Sequence, residues 1–290
     1  MCSHAVDRRL EGATALRQCQ LTQLFLLEVF AEICEKHNLK YFLDAGTLIG
    51  AMRHKGFIPW DDDLDVGMPV KDYKKFLKIA ERELPDGILL QTPKKYPGVP
   101  VPYAKLRDRH SFYCESNSVA QLPCGIFMDI FPFVKYPGLP VSITGAIGKW
   151  CYYSWISEQV YRTRQNGSIA GIFLSGVKAL AWRVIYLFSK GVFALMTLCS
   201  KHVLKYPPEI GWWDYPGFEE KDIFPLKKRE FEGRMFFTPC DSDKFLTVRY
   251  GDWRTLPPES KRRIHHSIIC PTQAPDVPWA MKYPLTSENP

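Results

Sequence analysis

Four aspartates fall within five residues of this 290-residue sequence, Asp61-Asp62-Asp63-Leu64-Asp65, between Ile58-Pro59-Trp60 and Val66-Gly67-Met68. An acidic run is commonly a solvated loop. These acids instead stand in apolar, strand-forming sequence, where exposed loop residues are unexpected. In an extended chain, side chains two apart point the same way, so Asp63 and Asp65 present two carboxylates to one side. Such a pair repels itself unless a cation lies between its members. Oxygen-only ligation suits a hard ion, Mg²⁺ or Mn²⁺, which takes one or two protein carboxylates and completes its shell with water and substrate phosphates. In phosphate transfer a further carboxylate takes the proton from the incoming hydroxyl, and Asp129 is the candidate. A calcium loop is the rival frame for Asp61, Asp63, Asp65 and Asp72. It fails where the loop's sharp turn requires glycine, because Val66 stands there, and again at Pro69.

Cations complete the inventory. Lys105 and Arg107 share a face of an expected strand, which fits either a grip on donor phosphates or a solvated charged edge. Arg53 and His54 lie just before the acidic segment and rank lower, as phosphate contacts or as partners of the acids. His265 and His266 read as surface residues of a basic helix.

The elements that position these residues follow from periodicity. Between Thr14 and His37, Leu21, Leu24, Leu27, Ala31 and Cys34 recur at helical spacing. Tyr41-Phe42-Leu43 reads as a short strand running into a Gly46-Thr47 turn. A short helix is expected over 48–53, a strand over 64–68, and a helix after Pro69 that ends at Pro85-Asp86-Gly87. Strands are expected over 101–107 and 126–131, the second placing Phe127, Asp129 and Phe131 on one face. Helices are expected over 241–250 and 259–266. The fold class is α/β (α+β), with a mixed sheet flanked by helices.

The formal charge of +7 is concentrated. Between Lys135 and Lys205 nine Lys or Arg residues face one acid, Glu158, so that this stretch carries +8 and the remainder −1. The stretch is also aromatic and apolar, and no nucleic-acid-binding motif accompanies it, so nucleic acid is excluded as a partner in favour of a membrane surface. Residues 138–205 therefore read as a helical insertion in a domain formed by 1–137 and 206–290. Lys178, Arg183 and Lys190 interrupt its apolar run, which argues against a spanning helix. An interfacial helix with a basic stripe and a helical cap packed on the core both fit. The nine cysteines are scattered and odd in number, and the first residues lack an apolar signal core. Both point to the cytoplasm, with peripheral contact at the inner face of an anionic membrane.

The runs Asp44-Ala45-Gly46-Thr47-Leu48-Ile49-Gly50-Ala51-Met52-Arg53-His54 and Gly56-Phe57-Ile58-Pro59-Trp60, continuing into the acids, resemble the signature of the LicD family. So do 104–108, Phe127-Met128-Asp129-Ile130-Phe131-Pro132, Tyr250-Gly251-Asp252-Trp253 and Pro257-Pro258-Glu259. The resemblance covers nearly the whole chain outside the basic stretch. It implies a nucleotidyltransferase-like core with Gly46 and Thr47 in the turn, Asp63 and Asp65 as the metal pair, Asp61 as an additional family aspartate and Asp129 as the third acid. It also implies a phosphotransferase that moves a phospho-alcohol group, such as phosphocholine, from a CDP-linked donor to a hydroxyl of a cell-surface glycan or lipid-linked glycan precursor, as in lipopolysaccharide biosynthesis, releasing CMP. A nucleotidyltransferase of the same fold and a non-catalytic metal- or glycan-binding module are the alternatives.

Overall fold

The computed structural model describes residues 5–96, 101–115, 124–136, 140–163, 169–198, 203–205, 217–262 and 264–273. After a 3-10 turn at Arg9–Glu11 comes α1 (Ala15–Lys36), capped by Thr14, whose hydroxyl accepts from the Arg17 N–H. Then follow β1 (Phe42–Leu43), α2 (Ala45–Arg53), β2 (Asp65–Pro69), α3 (Val70–Glu83), β3 (Ile88–Gln91), β4 (Ala104–Asp108), β5 (Phe112–Glu115) and β6 (Phe127–Tyr136). The second half contains α4 (Val141–Thr163), α5 (Ile169–Leu198), β7 (Val203–Lys205), α6 (Glu220–Ile223), a hairpin of β8 (Lys227–Phe231) and β9 (Arg234–Thr238), α7 (Ser242–Tyr250) and β10 (His266–Cys270).

The main sheet has the order β1-β2-β6-β4-β3, with β7 added to the far end of β6. β2 and β6 are parallel and the other pairs antiparallel, so the sheet is mixed. β2 lies between two strands under helices, and its first four residues are all buried, as the centre of a covered sheet requires. Register fixes the faces. Asp65 stands opposite Asp129 and Gly67 opposite Phe131. Farther along that face Phe133 packs on Phe42 and Phe218, and Phe218 stacks on Phe245 of α7 at 3.9 Å between ring centroids. A Cβ on Gly67 would lie 2.6 Å from the Phe42 ring and 2.7 Å from that of Phe133, so only glycine lets the rings close over the strand. The other face carries Val66, Met68, Met128 and Ile130, buried with α1 and α3.

Three expectations are corrected. Gly46 and Thr47 do not form a turn ahead of a helix; α2 already begins at Ala45, which absorbs the reversal at φ 47°. The segment 259–266 is not a helix. A 3-10 turn at Glu259–Lys261 follows Pro258, and His266 opens β10, whose Ile268 and Ile269 suit an edge strand paired with β5. The basic stretch is not wholly helical, since it ends in β7, with Val134 opposite Lys205 and Tyr136 opposite Val203. Within it, residues Ala170–Leu198 are long and apolar enough to cross a membrane by length and composition, so the interrupting charges alone do not decide against a span.

Candidate active site

The acids meet where α1, α2 and three strands converge. Strand β2 begins only at Asp65, so Asp61 to Leu64 form a loop, and two glutamines of α1 hold it. The Gln20 amide donates to the Asp61 carbonyl at 2.9 Å, and the Gln23 amide to the Asp62 carbonyl at 2.8 Å. Three residues apart, both lie on one face of α1. The Asp65 N–H donates to the Thr47 hydroxyl at 2.8 Å, and the Asp129 N–H to the Leu64 carbonyl at 2.8 Å. Gly46 is where the chain must be bare: a Cβ there would stand 2.7 Å from an Asp61 carboxylate oxygen.

Across the sheet, Asp65, Asp129 and Lys105 stand side by side on three adjacent strands. The Lys105 ammonium is buried, 3.0 Å from Asp129 Oδ1 and 3.6 Å from the centre of the Phe127 ring. Arg107 is also buried. It donates to Gln91 and, at 2.8 Å, to the Gly125 carbonyl, with its guanidinium 4.8 Å from the Phe127 ring centre. The structure thus places Lys105 among the carboxylates and engages Arg107 beside them. Arg53 donates to the Trp253 carbonyl at 3.2 Å, while its Nε is buried without a hydrogen-bond partner among the described residues. Burial lowers the Arg53 pKa against the pull of Asp61. Trp253 itself is buried in the core.

Electrostatics separate the acids into two kinds. Burial raises the carboxyl of Asp65 well above its ordinary value, and the negative charges of Asp63, Asp129 and Asp44 push the same way, against Arg249. Asp61 is likewise raised by burial and then by Asp63, and Asp63 is raised by burial despite His265. Asp62 behaves oppositely. Burial works against its charge, yet hydrogen bonds from the side chains and backbone N–H groups of His265 and His266 outweigh it and hold Asp62 well below the usual carboxylate range. Its oxygens accept from the Tyr113 hydroxyl at 3.0 Å, from the His266 N–H at 2.9 Å and from the His265 N–H at 2.9 Å. His265, bonded to Asp62 through Nδ1 at 3.0 Å, is raised to about 9 mainly by that bond, and its Nδ1 also lies 3.5 Å from Asp63.

Sequence reasoning left out five of these residues. His265 and His266 are not surface residues of a basic helix but the clasp on Asp62, brought there by β10. Tyr113 joins them from β5. Asp44 and Arg249 form a buried pair at 2.5 Å beside Asp65, linking the start of α2 to α7. The adjacent histidines ahead of the β-branched pair Ile268-Ile269 were the available signal.

Ligand atoms of Asp61, Asp62 and His265 lie within 4.8 Å of one another, an acidic cluster able to hold a metal ion. The Asp62 oxygens already accept from five donor groups, whereas Asp61, Asp63 and Asp65 are the acids whose carboxyls are raised.

The segment 38–158, which contains all the strand acids, matches the family model described as LicD/FKTN/FKRP, nucleotidyltransferase domain. Over 266 residues, 87% of this chain and 96% of the relative, the chain is 32% identical to the lipopolysaccharide cholinephosphotransferase LicD of Haemophilus influenzae. The chain belongs to the LicD family. A shorter stretch of this LicD-family chain, 70 residues or 24% of its length, is 42% identical to the ribitol 5-phosphate transferase FKRP of Homo sapiens, covering 13% of that protein. Arg249, His265 and His266 lie beyond the segment matched by the LicD model, so the partner of Asp44 and the two histidines on Asp62 come from outside it, while Tyr113 lies within it.

Proposed function

We propose that this LicD-family protein is a metal-dependent phosphotransferase that moves a phospho-alcohol group such as phosphocholine from a CDP-linked donor to a hydroxyl of a glycan or lipid-linked glycan precursor. The observation that carries the reading is the convergence of Asp61, Asp63, Asp65 and Asp129 at the start of β2 and β6, where the carboxyls of Asp61, Asp63 and Asp65 are raised by burial and by one another, as a cation site would require. Asp61, Asp63 and Asp65 would hold Mg²⁺ or Mn²⁺, which supplies charge neutralisation on the phosphoryl group. Asp129, kept in place by Lys105, accepts the proton of the acceptor hydroxyl. Arg53, with an unpartnered buried Nε, offers the guanidinium contact to donor phosphate; Gly46 and Thr47 shape the floor, and Lys105 and Arg107 supply positive charge beneath it.

We place the catalytic unit in 1–137 and 206–290, with 138–205 as an insertion that brings the enzyme to the inner face of a membrane from the cytoplasm. The lipopolysaccharide named as the substrate of the Haemophilus influenzae relative supports an acceptor built at such a surface. Incubating the protein with CDP-linked donors, acceptor glycan and Mg²⁺ or Mn²⁺ tests the reading. CMP release that needs the acceptor, and disappears in Asp65→Ala, is the expected result. Pyrophosphate release would assign the site to nucleotidyl transfer, and metal binding without turnover of any donor would make it a binding module.

A further inference from the structure

The chain leaves the sheet at the end of β6 and returns as β7, and the pairing of these strands pins both ends of the segment at one place. Between them α4 and α5 pack on each other as a helical hairpin. The 30 residues of α5 make a rod about 45 Å long at about 1.5 Å per residue. On its packed side the small residues Ser175 and Ala179 are buried, as are Ser154 and Trp155 of α4. Close contact through small side chains is how helices associate in lipid.

The outward side is different. Phe173, Val177, Leu180, Val184, Phe188 and Leu195 are between 48% and 73% exposed. At about 100° per residue they fall within about 80° of one another, a continuous stripe along the helix. Lys178 borders it on one side and Arg183 and Lys190 on the other, each about 100–120° from its centre. Of the residues in the most apolar stretch of α5, 11% are buried, whereas the core helix of a water-exposed domain buries its apolar face. An exposed stripe of this length exceeds what monomeric proteins leave in water.

We propose that α5 lies lengthwise in one leaflet of an anionic membrane, with the Phe173–Phe188 stripe among the acyl chains and the bordering cations at the level of the lipid phosphates. This rests on the membrane-side reading above and sharpens it: attachment is by apolar insertion, with charge only setting depth and lipid preference. The ion pair of Glu158 with Arg183, at 3.5 Å, lies on the α4 side and stays out of the hydrocarbon. The geometry delivers the catalytic unit to the acceptor's own surface, so a lipid-linked glycan reaches it by lateral diffusion.

Flotation of the full chain with vesicles of neutral or anionic phospholipid, at low salt and at about 1 M salt, tests this. Screening at about 1 M salt removes most surface attraction. The expected result is co-flotation with anionic vesicles that survives high salt in the wild type and in Phe173→Leu/Phe188→Leu. In Phe173→Asp/Phe188→Asp it should fall on the order of a hundredfold at either salt, since two large side chains lose their burial. Both positions are exposed, so the substitutions leave the hairpin fold intact. Release of the wild type by salt, or indifference of flotation to the aspartates, overturns the proposal. So does light scattering that shows a dimer dissolved by the aspartates in the absence of lipid. CMP release without vesicles is read separately: in the wild type, turnover without flotation sinks this inference alone and flotation without turnover sinks the transferase reading alone, while Phe173→Asp/Phe188→Asp should lose flotation and keep turnover.

Discussion

Asp62 is the acid whose removal should unlatch the site without removing a metal ligand. Its side chain is fully buried and receives the Tyr113 hydroxyl, two backbone N–H groups and two imidazoles. Asp62→Asn keeps the volume but loses the charge, and turns an amide toward donors that need an acceptor. Breaking a buried ion pair costs about 3–5 kcal/mol. His265 is 46% exposed and regains solvation, so the lower end applies, about 3 kcal/mol. For a chain of this size that is a fall in Tm of about 6–12 °C. The pH dependence follows from the two shifts. The stability contributed by His265 is fully present below its ordinary value near 6.5 and is lost as pH rises through about 9. The stability contributed by Asp62 is present above its ordinary carboxylate value and lost only in strong acid. The gap between wild type and Asp62→Asn should therefore be widest at pH 5–7 and narrower at about pH 10. Urea unfolding of the ion-free protein at both pH values, with amide exchange read at 266–270, measures it. A loss under about 1 kcal/mol, or a gap that does not change with pH, would refute the idea that Asp62 is a clasp.

Asp65→Asn should abolish transfer yet raise the ion-free melting temperature at pH 7. A buried carboxyl with a raised pKa costs stability as pH climbs above its unfolded value, and the amide removes that cost; an unchanged or lower melting temperature counts against the repulsion. Metal affinity measured by calorimetry should fall as pH is lowered from 8 to about 6, because the ion must displace protons from Asp61 and Asp65; a flat profile would move the ligand set elsewhere. Arg9→Met should cost about 3–5 kcal/mol in denaturant, since Arg9 grips buried Asp108 through two bonds of 2.8 Å, while kcat in the surviving folded fraction stays at the wild-type value. Lys105→Met should lower kcat far more than donor KM, because it removes the ammonium 3.0 Å from Asp129; a rise in KM alone would mean that Lys105 binds the donor.

Local pattern carried the parts of the fold whose cause is local. The apolar spacing of α1 and the Thr14 cap, the amphipathic α3 and the Asp241 cap of α7 are properties of a few consecutive residues, and each element lies within two residues of its expected bounds. The Asp65 and Asp129 strands were legible for the same reason. What was not legible depends on partners distant in sequence. β8 has four exposed residues out of five and no apolar alternation, so nothing but its hairpin partner makes it a strand. β10 is defined by β5, which precedes it by about 150 residues, a pairing that no window of sequence contains. The histidines were misread with it: placed on a helix they have a surface, and placed on β10 they have Asp62.

The same distance argument explains why the acidic run is not a solvated loop. Six carboxyls, Asp44, Asp61, Asp62, Asp63, Asp65 and Asp129, are gathered within a few side-chain lengths, and burial makes each charge costly unless it is paired. Three are paired by cations drawn from elements far apart: Arg249 from α7 on Asp44, Lys105 from β4 on Asp129, and His265 on Asp62. A solvated loop has no need of such partners. The remaining three, Asp61, Asp63 and Asp65, are those whose carboxyls are pushed up by burial and by one another. His265 near Asp63 and Arg249 near Asp65 offset only part of that effect, and one divalent cation beside Gly46 would offset most of the rest. The fold thus gives close cationic partners to every acid except the three proposed to hold a metal, and on that proposal the cost of the site is tied directly to its use.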